Sequence, residues 1–358
     1  MTAHRILAAG IAGLFAAPWA SAQGNVTLYG IVDLAARSVN NQGVGSMPSL
    51  VSGSTSTSRI GLRGIEDLGG GLSVGFNLEH GLLADSGTQA SSTKFWDRRS
   101  TVSLISKALG EVRLGRDFVP TYRNWSRYDP FAYVGVARTA DFFTGTPIGP
   151  IRSVFGSNDN SLVRSDNAIQ YLLPKLGGLE GEVMVAAAEG GSAAQGNARL
   201  IGARLGYATK AFGVSAATST VENALTTDGK FKDTAIGGNL EIGDVELSAA
   251  WRQLKYSAAR QSHWLVGATY SFGLHLVRAS WQRVDLSGRV GSTDISANDA
   301  SKLGLGYVYN LSKRSALYAT AARISNDGGA RYTIPGGPAG LAAGKSSTGY
   351  EAGLIHRF

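Results

Sequence analysis

Sixteen segments of this chain alternate apolar and polar side chains residue by residue, and the connections between them alternate between short and long. The segments fall at 26–37, 57–68, 71–84, 95–107, 110–118, 164–174, 177–189, 198–209, 212–222, 232–242, 244–256, 261–272, 274–286, 300–311, 314–326 and 347–358. A period of two places successive side chains on opposite faces of a strand. In the first segment Leu28, Gly30, Val32 and Leu34 share one face, and Tyr29, Ile31, Asp33 and Arg37 share the other. In the second, Arg59, Gly61 and Arg63 oppose Ile60 and Leu62. Short turns at 67–71, 108–110, 174–178, 210–211, 243, 273 and 312–313 alternate with longer connections at 40–56, 85–94, 119–163, 190–197, 223–231, 257–260, 287–299 and 327–346. Only 257–260 is shorter than its class. Soluble sandwiches do not sort their loops this way. Transmembrane barrels do, with short periplasmic turns and long external loops. An open sheet would leave unpaired backbone groups in lipid, so the first strand must meet the last. The pattern predicts an all-β chain folded as one closed, sixteen-stranded antiparallel transmembrane β-barrel.

Composition agrees. Charged residues are 17 % of the chain, against about a quarter in a typical soluble domain. Glycine is 48 of 358, about twice its usual share, and there is no cysteine for a disulfide or a thiolate site. Residues 1–22 have the parts of a secretory signal peptide: His4 and Arg5, an apolar stretch from Ile6 to Ala17, and Ala20-Ser21-Ala22 as a small-residue cleavage site. The barrel domain is expected over 23–358. Past the leader no run approaches 18 apolar residues, which excludes a helical membrane protein. The last segment ends on an aromatic residue, with Tyr350, Ala352, Leu354, His356 and Phe358 on one face. Phe358 is expected to serve barrel closure and assembly.

One connection, 119–163, far exceeds the usual loop length. It carries Tyr122, Trp125, Tyr128, Phe131, Tyr133, Phe142 and Phe143 among Arg123, Arg127, Asp129, Arg138 and Asp141. A loop so aromatic is expected to pack against the inside of the barrel. A basic side chain facing lipid at mid-depth costs about 2–4 kcal/mol, so mid-strand charges define the inward face. Several other signals carry no chemistry. Gly71-Leu72-Ser73-Val74-Gly75 matches the nucleophile-elbow string, but a strand follows it where that device needs a helix. The five histidines have no metal-ligand spacing, and no metal or cofactor is expected. Asn158, Asp159 and Asn160 with Asp166 could hold a cation, though a solvated loop is the simpler reading. The net charge of +8 comes without a basic run or helix, so nucleic acid is not an expected partner.

Several stretches together resemble the general porins of Gram-negative β- and γ-proteobacteria, of the Burkholderia–Bordetella–Comamonas and Neisseria type. They are Val26-Thr27-Leu28-Tyr29-Gly30, Ser58-Arg59-Ile60-Gly61-Leu62-Arg63-Gly64, Glu66-Asp67-Leu68-Gly69-Gly70-Gly71-Leu72, Leu109-Gly110-Glu111-Val112-Arg113-Leu114-Gly115-Arg116, Arg164-Ser165-Asp166-Asn167-Ala168-Ile169-Gln170-Tyr171, Leu311-Ser312-Lys313-Arg314-Ser315 and His356-Arg357-Phe358. They run in family order along the chain. The resemblance implies a homotrimer in the outer membrane, in contact with its lipid and lipopolysaccharide, with an aqueous pore narrowed by an inward-folded third loop. In that family basic wall residues face acidic groups. Arg59, Arg98 and Arg164 match the basic positions, and the mid-strand Arg63 and Arg113 join them. Arg98 and Arg99 are adjacent, so only one can face the lumen in mid-strand. The motif favours Arg98; Val102 and Leu104 as outward residues favour Arg99. Glu79, Asp117, Asp129 and Asp141 are the acidic candidates, the last two from loop membership. Ile355 stands where a basic residue is common, and the third loop is unusually long.

The function implied is passive diffusion of ions and small hydrophilic solutes. Arginine outnumbers lysine more than two to one, and basic rings favour anions, so anion preference is predicted. The alternatives are a selective channel for organic anions or sugars on the same barrel, an outer-membrane enzyme, for which no nucleophile–base pair can be assembled, and a plugged structural barrel.

Overall fold

The computed structural model describes residues 25–144, 148–156, 162–188 and 198–358. The expected leader and Asn158, Asp159 and Asn160 lie outside them. The strands are β1 (Asn25–Asn41), β2 (Gly45–Ser52), β3 (Arg59–Gly69), β4 (Leu72–Leu83), β5 (Thr88–Gln89), β6 (Arg99–Ser106), β7 (Gly110–Phe118), β8 (Arg164–Leu172), β9 (Leu179–Ala186), β10 (Arg199–Ala208), β11 (Phe212–Glu222), β12 (Phe231–Ile242), β13 (Val245–Tyr256), β14 (Ala259–Phe272), β15 (His275–Val290), β16 (Thr293–Asp294), β17 (Ala300–Asn310), β18 (Ser315–Asn326) and β19 (Ser347–Arg357). Between β7 and β8 run α1 (Pro120–Arg127), a 3₁₀ turn (Thr139–Phe142) and α2 (Pro150–Phe155). β5 and β16 are two-residue ladders on β4 and β15, within the long loops. β2 and β3 both pair with β1 and share one wall position. Every neighbouring pair is antiparallel, and the wall is a closed barrel of sixteen strands.

Closure runs from Ile31 opposite Arg357 to Asn41 opposite Ser347. Gly30 and Phe358 then exchange two backbone bonds, N–H to O=C at 3.1 Å each way. The Phe358 ring lies over Gly30, in the space a Cβ would take. The terminal aromatic therefore covers the glycine at the seam. The alternation holds around the wall. Leu28, Val102, Leu205, Ile236 and Leu303 are exposed on the outer face, as an apolar belt requires. Asp33, Arg204, Arg252 and Arg278 are buried on the inner one.

The first long connection differs from expectation. Residues 45–52 are not free loop but wall, forming the long-loop end of the second strand position. The break at 53–58 is held by Asp33. Its carboxylate accepts the backbone N–H groups of Thr55 and Ser56, both at 2.7 Å, and the hydroxyl of Tyr318 from across the seam. Its own N–H donates to the Ser58 hydroxyl at 3.0 Å. Where the ladder lacks backbone partners, a buried carboxylate supplies the acceptors.

Deleting Phe358 removes the two backbone bonds at the seam. At about 1 kcal/mol each, the expected loss is on the order of 2 kcal/mol. Urea unfolding of barrels refolded in detergent measures it; an unchanged midpoint would place closure stability elsewhere.

Candidate functional site

The third loop lies inside the barrel on a track of glycines. A Cβ on Gly202 of β10 would meet Pro120, on Gly237 of β12 Tyr128, and on Gly267 of β14 Pro130. On Gly304 and Gly306 of β17 it would meet Phe131, and on Gly349 of β19 Val136. These glycines sit on alternate strands of the wall, so the chain from Pro120 to Val136 crosses half the circumference in close contact. The wall also supplies donors for the loop's carbonyls. Ser248 donates to the Tyr128 oxygen at 2.8 Å and Gln261 to Phe142 at 2.7 Å. Arg278 reaches Pro130 at 3.2 Å, and Gln282 reaches Ala137 at 2.8 Å. A backbone with no ladder of its own is thereby satisfied. Aromatics fill the seam: Trp125, Tyr128, Phe143 and Phe155 pack with Phe231, Leu254 and Leu265 of the wall.

The glycine track does not extend over β3 to β8, and a cluster of ion pairs lies on that arc. Arg98 donates to Glu79 at 2.6 Å, while Arg59 lies 3.7 Å from the same carboxylate. Arg99 and Arg113 share Asp117, at 2.8 and 2.5 Å, and Arg123 approaches it from α1 at 3.4 Å. Arg113 also pairs with Glu111 at 2.8 Å. Arg116 and Lys94 share Asp166, both at 2.6 Å. Arg164 has no carboxylate partner among the described residues; it donates to the Arg98 carbonyl at 2.8 Å and lies 4.5 Å from the centre of the Phe118 ring. Arg63 stands over Tyr29 at 5.2 Å, nearer the short-turn rim. Arg98 is within electrostatic range of both Arg59 and Arg164, and all three are within range of the Tyr122 phenol on the loop.

Arg98 and Arg99 both reach the lumen. β6 begins at Arg99, whose parity with Thr101 and Ser103 turns it inward; Arg98 precedes the strand and is free of that parity. A register shift between Gly115 and Asp117 does the same in β7, turning Arg116 to Asp166 and Asp117 to Arg99 and Arg113. A bulge re-aims side chains in this way.

Asp129 and Asp141 are placed differently from expectation. Asp129 is folded into the loop, accepting from the Thr139 hydroxyl at 2.7 Å and from Phe131 and Tyr133 N–H at 2.9 and 3.1 Å. Burial pushes its carboxyl above the usual range, against the pull of those donors. Asp141 faces the wall, 2.5 Å from both Lys302 and Arg138. Both carboxylates fix the loop and do not face the open lumen. Loop membership gave no parity from which to read their direction. Tyr122 and Arg123 on α1 face the basic arc instead, which their place in the loop's aromatic and charged cluster does not reveal. The Gly71–Gly75 string straddles the β3–β4 turn and continues as strand, with Ser73 opposite Asp67.

Lys302→Met removes the fully buried partner of Asp141 and leaves the carboxylate with Arg138 alone. Breaking a buried pair from one side costs about 3–5 kcal/mol. The expected outcome is a loop that lifts from the wall, giving a tryptic cut after Arg138 in an otherwise intact barrel. Protection equal to wild type would show that the glycine track alone holds the loop.

Comparison with known proteins agrees with this architecture. The Gram-negative porin family matches residues 7–329. Outer membrane porin protein 32 of Delftia acidovorans is 34 % identical over 97 % of this chain and 98 % of its own. An outer membrane porin of Bordetella pertussis is 25 % identical over 90 % and 94 %. Among solved structures, the anion-selective porin from Comamonas acidovorans superposes with a TM-score of 0.80 at 32 % identity, covering 94 % of this chain and all of that one. Salmonella typhi OmpF, at 16 % identity and a TM-score of 0.64 over 93 % and 97 %, shares the fold. This chain belongs to the Gram-negative porin family, as an outer-membrane β-barrel.

Proposed function

We propose that the chain is exported with cleavage of 1–22, assembles as a homotrimer in contact with lipopolysaccharide, and passes anions in preference to cations. The observation that carries the selectivity is the arc of Arg59, Arg98 and Arg164. Its carboxylate, Glu79, is shared by two guanidiniums, and Arg164 has none. Guanidinium keeps its charge in a crowded wall. Where the loop narrows the lumen against this arc, chloride or a small carboxylate gains attraction and potassium is repelled. The structural neighbour described as an anion-selective porin supports the same sign. The Tyr122 hydroxyl facing the arc would add a hydrogen-bonding group for an organic anion. That favours a carboxylate-selective channel as the second reading; saturable current block by micromolar solute would mark it.

The test is the reversal potential of single channels in a planar bilayer under a tenfold KCl gradient. A potential favouring chloride is expected, and a value near zero would remove the claim. Arg164→Gln, which breaks no ion pair, should lower the chloride-to-potassium permeability ratio by up to about fivefold, since a unit charge at about 4 Å in water is worth roughly 1 kcal/mol. The effect should shrink as salt is raised. Arg63→Gln, nearer the rim, should change the ratio less.

A further inference from the structure

Three cations stand side by side on the outer face of the barrel, at the long-loop end of β12 to β14. Lys232 is opposite Lys255, and Lys255 is opposite Arg260. Each lies between inward-facing neighbours: Phe231 and Asp233, Leu254 and Tyr256, Ala259 and Gln261 are all buried. The three side chains therefore project outward from adjacent strands. Cross-strand partners hold their Cβ atoms about 4.5–5.5 Å apart, and like charges there repel. Nearby rim cations have acids of their own. Lys230 pairs with Glu222 at 2.7 Å, and Arg283 with Asp285 at 2.6 Å. Among the described residues no carboxylate pairs with Lys232, Lys255 or Arg260.

Directly below, the same strands change character. Thr234, Gln253 and Ser262 form a polar row two residues down, and Ile236, Trp251 and Trp264 an apolar one four residues down, about 13 Å from the cations. That row edges an outward groove of about 790 Å³, lined by Leu205, Val214, Ile236, Trp251, Trp264 and Val266. The connection between β13 and β14 above this patch is only Ser257 and Ala258, and Lys232 and Arg260 are exposed. Charge, polar row and apolar groove follow one another in the order of an anionic amphiphile standing in the outer leaflet.

We propose that this face of β12–β14 binds a phosphorylated glycolipid of the outer leaflet, its phosphate on Lys232, Lys255 and Arg260 and an acyl chain in the groove. The assignment rests on the barrel orientation of the proposed function, with long loops outside, and gives the lipopolysaccharide contact proposed there a specific site. Apposed like charges then become a binding device: the phosphate removes their repulsion, and the bilayer supplies the chain.

The test uses full-length barrel refolded in lipid-free detergent. Binding of diphosphorylated lipid A, its dephosphorylated form and inorganic phosphate is followed by native mass spectrometry and thermal shift. Wild type should bind lipid A, and Lys232→Gln/Lys255→Gln/Arg260→Gln should bind it on the order of a hundredfold more weakly. Trp264→Ala should weaken lipid A binding and leave phosphate competition unchanged. Equal affinity of wild type and triple variant for lipid A overturns the proposal, as does binding that survives dephosphorylation. Full displacement by inorganic phosphate at millimolar concentration would make this a free-anion site and overturn the lipid assignment. Single-channel conductance of the triple variant reports folding. Because it also reports the pore independently, loss of lipid binding with conductance intact separates failure here from failure of the porin reading.

Discussion

A strand wall in hydrocarbon tolerates no unpaired backbone, and each feature of this barrel answers that demand in a different way. β1 answers it by pairing with β19 along its long-loop half and, at Gly30, with the terminal residue itself. The interruption between β2 and β3 answers it with a side chain: Asp33 takes over acceptor positions that no neighbouring strand fills. The loop inside the barrel, which has no ladder, answers it by receiving amide, hydroxyl and guanidinium donors from the wall.

The loop's position follows from a second constraint, close packing. The loop approaches the wall most closely where inward side chains are absent: glycines at inward positions on alternate strands make a trough, and Ser248, Arg278 and Gln282 on the strands between bind its carbonyls. The glycine track therefore sets where the obstruction sits, and the arc of Arg59, Arg98 and Arg164 brings guanidiniums to the remaining gap. Within the gap the carboxylates are shared, Glu79 between two arginines and Asp117 among three, which holds the guanidiniums apart without neutralising them.

Period-two alternation made the barrel legible because lipid on one side and water on the other force each strand to declare its faces. The same rule identified Asp33, Arg37, Arg59 and Arg63 as inward. It failed where strands stop being regular. Arg98 lies one residue before β6, and Arg116 sits in a bulge, so parity says nothing about either. It also failed in the loop, where Asp129 and Asp141 were grouped by sequence neighbourhood although each turns to a different partner. The glycine track was present in the composition as an excess of glycine, but its meaning depends on which strand each residue occupies and on the partner it meets, and both are long-range facts. The outer basic row was hidden for the same reason: Lys232, Lys255 and Arg260 become neighbours only through register.

The loop precedes almost everything it rests on. Residues 120–138 are synthesised before β10, β12, β14, β17 and β19, whose glycines receive them. The loop has no complete seat without the second half of the wall, and the hydrogen bond from Val136 N–H to Glu351 needs the final strand. A barrel without β19 would be unsealed at its seam and would also lack the Glu351 anchor of the loop, so one strand serves both the wall and the waist of the channel.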